Sequence, residues 1–199
     1  NHELSSQAFK IVTERGTVYL MGRVTKREAD LATEIARTTS GVKAVVRIFD
    51  YLTEDELKLF VDSVRHYFRT TTRQEPQITS AFLGTGDVQG FEFNGIDSFS
   101  GNYNGQVIVS MPSQLLRELL LLQRETDLSD GNLLDAVGEI ANTLGGNARK
   151  TLGSGLQISV PVKLQGSAAT RARVRQLPYV ITLRWNHQPA MVCVDMEKK

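Results

Sequence analysis

Residues 135–153 read DAVGEIANTLGGNARKTLG. Leu133, Val137, Ile140, Leu144 and Ala148 recur at spacings of three and four, the signature of one apolar helix face. With Asp135 set at zero and about 100° per residue, Glu139 falls near 40°, Asn142 near −20° and Gly146 near 20°. An acidic and amide stripe therefore faces outward, opposite the apolar side. Gly138 and Gly145 flank that stripe, and each costs about 1 kcal/mol against alanine in a helix interior. A merely solvated face gains stability from Ala, Glu or Lys at such positions. Glycine there predicts that a second backbone approaches closely. Arg149 and Lys150 bracket the C-terminal end, where cations favour the helix dipole.

Outward from this stretch, Ser129 stands where an N-cap belongs. Upstream, Pro112 opens an amphipathic helix in SQLLRELLLLQ, as proline does at helix starts. QITSAFLG and GFEFNGIDSFSG read as strands, NYNG as a hairpin turn, and QVIVSM as the returning strand. Downstream come GLQISVPVKL, YVITLRWN and AMVCVDM as three more strands, the first demoted to an edge or a bulge by Pro161. A further helix spans about residues 53–70, opened by a Thr53–Glu56 capping box, with Leu57, Phe60, Val61, Val64 and Phe68 at core spacing. Hairpins and runs of strands with separate helices predict an α+β fold with a mainly antiparallel sheet.

Nearer the N-terminus, FKIVT and TVYLMGRV are two strands around ERG. Thr25 and Glu28 form a capping box. The helix it opens carries Ala29, Ala32, Ile35 and Ala36 on one face, Gly41 is a helix-ending residue, and KAVVRIF is a third strand. The chain thus divides into a small β-β-α-β unit at 1–52 and a larger domain at 53–199, without a long flexible linker between them.

The totals exclude several classes. The 199 residues carry 23 basic and 22 acidic groups, a formal charge of +1. Bulk nucleic-acid binding needs a basic face, so no nucleic-acid partner is expected, and Arg171, Arg173 and Arg175 read as a solvated strand face. Cys193, the only cysteine, reads as a small buried hydrophobe. His2, His66 and His187 have no ligand spacing, so no metal site is expected. QLLRELLLLQ is too short and interrupted to cross a bilayer, and no signal peptide is visible. GTGDVQG, Gly84 to Gly90, lacks the Lys-Ser/Thr ending of a phosphate loop and reads as a turn. Tyr179 and Trp185 read as packing residues.

The acidic residue, three-residue gap, Glu, two-residue gap, Asn pattern of DAVGEIANTLGG resembles the signature helix of the CheC/CheX/FliY chemotaxis phosphatases. Its single copy is more like CheX. GIDSFSGNYNGQVIVSMPSQLLRELL is similar to that family's strand, turn, strand and helix ahead of the motif, and the resemblance covers about residues 57–199. It implies a CheC/CheX-like antiparallel sheet with packed helices, and hydrolysis of the aspartyl phosphate of a CheY-like response regulator. Carried over, Asn142 orients the attacking water, Glu139 pairs with the regulator's active-site lysine, and Asp135 is the motif's leading position. Asp135, Gly138, Gly146 and Arg149 are then expected to meet the partner. The chain needs no cofactor of its own, and Mg²⁺ is expected in the regulator. Relatives that dimerise through sheet edges imply a possible homodimer.

FKIVTERGTVYLMGRVTKREADLATEIARTTSGVKAVVRIFDYL resembles the later part of a BON domain, without that domain's first helix. BON domains are associated with the bacterial envelope and linked to lipid surfaces, whereas CheX-like proteins are cytoplasmic. Two alternatives stay open: a non-catalytic CheX-like module that docks a signalling partner, and an envelope-associated BON-type binding protein.

Overall fold

A computed structural model describes residues 4, 8–51, 54–84, 88–153, 155–170 and 178–198. Thr53, His2 and the arginines at 171, 173 and 175 lie outside them, so the second capping box and the alternating-arginine strand are not part of the description.

Among the described residues the strands are β1 (Lys10–Glu14), β2 (Thr17–Val24), β3 (Ala44–Tyr51), β4 (Gln77–Leu83), β5 (Phe93–Ser100), β6 (Tyr103–Met111), β7 (Gln157–Ile158), β8 (Val162–Gln165), β9 (Tyr179–Trp185) and β10 (Gln188–Lys198). The helices are α1 (Lys26–Arg37), α2 (Glu54–Thr72), α3 (Ser113–Leu122) and α4 (Asp130–Leu152). The fold is α+β, and its ten strands form one sheet. The sheet runs β2, β4, β9, β10, β6, β5. β3 lies parallel to β2 on one edge, as the β-α-β connection through α1 requires, and all other pairings are antiparallel. β7 and β8 share the outer edge of β5, with Ser159–Pro161 between them. Pro161 thus falls at a break in an edge strand.

Strand alternation sorts the core into two layers. Val107, Val109, Ile181, Leu183, Val192 and Val194 point to the side that α2, α3 and α4 cover. Ile108, Val180, Met191 and Cys193, between them in sequence, point to the other side with Phe82, Ile96 and Ala29 of α1. Cys193 is fully buried there, and burial, with Asp195 nearby, pushes its thiol up to about 12. It is no nucleophile at neutral pH.

Two local expectations shift. The hairpin between β5 and β6 turns at Gly101–Asn102, with Gly101 at φ +139°, so only the first residue of NYNG lies in the turn and the rest opens β6. Gly105 lies inside β6, where a Cβ would stand 2.1 Å from the Asp195 carbonyl oxygen. Its glycine serves close strand packing, not a turn. The first helix ends at Arg37 with Thr38 as its C-cap, and Gly41 (φ +86°) belongs to the turn into β3.

The two units share backbone hydrogen bonding. β2 pairs with β4 at Arg23↔Leu83 and Val24↔Phe82. Glu28 reinforces that junction. Its carboxylate accepts from Thr25 N (3.0 Å) and Thr25 Oγ1 (2.8 Å) to complete the α1 capping box, and from Ala81 N (3.2 Å) and Ser80 Oγ of β4. A helix cap of the first unit is thereby also a buried bond to the second.

Candidate functional site

α4 begins at Ser129, whose hydroxyl accepts from Asn132 N at 3.4 Å. Leu133, Val137, Ile140 and Leu144 are buried against the sheet. Asp135, Glu139 and Asn142 are exposed on the opposite side. The helix is anchored along one face and presents the predicted stripe on the other. Arg149 is also exposed, near its end.

The glycines have a different explanation from the one the stripe suggested. Gly145 is buried, and a Cβ there would sit 2.1 Å from Asp97 Oδ2. On β5, a Cβ on Gly95 would sit 2.2 Å from the Val137 carbonyl oxygen and 3.0 Å from Gly138 Cα. Helix and strand backbones thus meet almost directly. Gly138 is buried under the same chain, since a Cβ would lie 3.0 Å from Cγ and Cδ of Lys163 on β8. The close approach that glycine signals at 138 and 145 is therefore intramolecular. Gly146 alone of the three has nothing within 4 Å.

Sequence spacing did not bring out Lys163. Its stem crosses α4 at Gly138, and its ammonium donates to Asp135 Oδ1. Gln165 Nε2 donates to Asp130 Oδ2 at 3.1 Å, so β8 holds two acidic residues of α4. Asp97 was missed as well. It is 0% exposed, neither carboxylate oxygen has a hydrogen-bond partner among the described residues, and burial raises its pKa from 3.8 to about 7. A polar residue at an inward strand position facing a helical glycine was its only sequence signal.

An open groove of about 440 Å³ runs beside the stripe. Tyr67 and Thr71 of α2, Leu119 and Leu120 of α3, and Glu139 and Ile140 of α4 line it. Burial raises the Tyr67 phenol to about 12, so it stays neutral. The groove joins an apolar floor to the Glu139 carboxylate. Asn142 lies outside its lining. Among the described residues there is no group of three or more His, Cys, Asp or Glu suited to a metal, and no helix is long and apolar enough to cross a membrane.

Two family models match this chain. Residues 93–184 match that of the chemotaxis phosphatase CheX, and residues 1–51 match that of the BON domain. Solved structures agree on the fold. A CheC-like superfamily protein from a Shewanella species superposes with a TM-score of 0.62 at 18% identity, covering 73% of this chain and 99% of the other. The chemotaxis protein CheX of Vibrio vulnificus gives 0.60 at 18% identity, over 72% and 99%. The CheX–CheY complex of Borrelia burgdorferi with beryllofluoride and magnesium gives 0.57 at 17% identity, over 71% and 97%.

The chain also has curated relatives over short stretches. It is 36% identical over 52 residues to a 21 kDa hemolysin of Actinobacillus pleuropneumoniae, covering 26% of this chain and 27% of that protein. It is 46% identical over 43 residues to the outer membrane lipoprotein DolP of Haemophilus influenzae, covering 22% of each. The chain spans about a quarter of the length of these relatives. The molecule thus has a CheC/CheX-like fold joined to a BON-type segment, the two resemblances its sequence carries.

Proposed function

We propose that the protein hydrolyses the aspartyl phosphate of a CheY-like response regulator, using Glu139 and Asn142. One observation carries this reading: both side chains are exposed on the same side of a helix whose other face is buried, within the CheX-matching segment. The Asn142 amide holds a water in line with the phosphorus. That water's oxygen bonds to phosphorus as the bond from phosphorus to the aspartyl oxygen breaks, releasing inorganic phosphate and the free carboxylate. Glu139 receives the regulator's active-site lysine and thereby fixes the approach. Phosphoryl transfer depends mainly on position and charge, so neither side chain needs an altered pKa. In this reading Mg²⁺ belongs to the regulator, and Gly146, open on the same side, admits its backbone. Arg149 borders the docking surface.

The test is loss of phosphate from a CheY-type receiver charged with acetyl phosphate. Asn142→Ala is expected to slow the accelerated rate by about a hundredfold, as losing a positioning group does. Equal rates for wild type and the Glu139→Ala, Asn142→Ala double variant would overturn the proposal and leave a docking module. Dimerisation through a sheet edge belongs to the same reading and requires a mass that rises with concentration. The match to an outer membrane lipoprotein favours a second reading, in which the BON-type segment places the protein in the envelope. Cell fractionation separates it from a cytoplasmic site.

A further inference from the structure

Asp135 and Glu139 are carboxylates four residues apart on one exposed helix face. They offer an incoming cation two landing points about one turn apart, about 6 Å along the axis. Only one register leaves Asn142 at the reacting phosphorus. Misplacement by about 1 Å can cost a hundredfold in rate, so a slip of one turn is unproductive.

Lys163 removes the ambiguity. Its stem lies across Gly138, where a Cβ would come within 3.0 Å of it, and Pro161 Cβ stands 3.8 Å from the same point. Its ammonium rests on Asp135. The Asp130 carboxylate accepts from Gln165 of the same strand at 3.1 Å. β8 thus occupies the two acidic residues on the N-terminal side and leaves Glu139 to the solvent, without a side-chain partner among the described residues. We infer that Lys163 sets the docking register: by neutralising Asp135 it makes Glu139 the single carboxylate that takes the partner's lysine. This rests on the phosphatase reading and names a specificity residue outside the signature helix. Both partners in the ion pair are partly exposed, at 43% for Lys163 and 63% for Asp135, so substitution there leaves the core intact.

The experiment measures phosphate release from an acetyl-phosphate-charged CheY-type receiver over a range of receiver concentrations. Lys163→Met is expected to lower kcat about two- to fivefold, the range of a screened surface charge pair, without raising KM. Lys163→Arg keeps the cation and the wild-type kcat. Asp135→Asn combined with Lys163→Met restores kcat, because the competing carboxylate is gone. A purely structural ion pair predicts the reverse, since that double variant still lacks it. An unchanged kcat in Lys163→Met, or no restoration in the double variant, overturns the register assignment. If Glu139→Ala and Asn142→Ala also fail to slow release, the phosphatase reading falls with it; if they slow release, only the register assignment falls.

Discussion

Among the described residues, Asp97 is the one buried carboxylate with neither oxygen hydrogen-bonded. Its carboxylate is buried beside Gly145, its oxygens are unpartnered, and its pKa stands near 7. Burial is the cause, and no charged neighbour contributes. The folded pKa lies above the unfolded value, so the folded chain holds its proton more tightly. The Asp97 contribution to stability is therefore greatest below about pH 4, falls as pH rises towards 7 and then levels off, a loss of up to about 4 kcal/mol. Asp97→Asn removes that dependence, at the expense of an unpaired buried amide. Urea unfolding is expected to show the variant near wild type at pH 5 and more stable by about 2 kcal/mol at pH 8. Parallel curves at both pH values would show that Asp97 is not buried as a neutral acid. The sequence marked neither Asp97 nor Lys163, because each acts through a contact between elements far apart in the chain. The outward placement of Glu139 and Asn142 was legible because their spacing lies within one helix.

At the scale of elements, the α4–β5 contact is made by backbone, and its glycines are not interchangeable. Gly95→Ala drives a Cβ into the Val137 carbonyl, and Gly145→Ala drives one into Asp97. Each is expected to lower stability by about 2–3 kcal/mol, because helix and strand must separate. Gly146→Ala meets nothing within 4 Å. It is expected to stabilise the fold by up to about 1 kcal/mol through helix propensity. On the proposed function, the same methyl weakens regulator docking. Chemical denaturation of the three variants separates these effects, and destabilisation by Gly146→Ala would refute the assignment of open space there. Helical periodicity placed the apolar face of α4 correctly, since it needs only 3.6 residues per turn. It registered an excess of glycine without saying which backbone approached. The β5–β6 turn was misplaced for a related reason: the close strand packing at Gly105 looks, in sequence, like a turn.

At the scale of the whole molecule, the two units are joined by the β2–β4 ladder and by the Glu28 carboxylate. Glu28→Ala removes a cap and strands the Ser80 hydroxyl and the Ala81 amide, and is expected to cost about 2–4 kcal/mol. Trp185, the only tryptophan, reports on the layer under α2–α4, while far-UV circular dichroism reports on both units. In wild type the two signals are expected to unfold together. Separate transitions would show that the junction does not couple the units. By itself the sequence determined the α+β class, the order of most elements, the helix that carries Glu139 and Asn142, and the side of it that faces out. Local periodicity, capping pairs and turn residues suffice for these. The tertiary structure alone decided that one sheet runs through both units, that Gly138 and Gly145 accommodate the protein's own Lys163 and Asp97, and that Asp135 is occupied while Glu139 is left open. Those facts depend on contacts between residues tens of positions apart, and no local pattern encodes which distant side chain fills a given space.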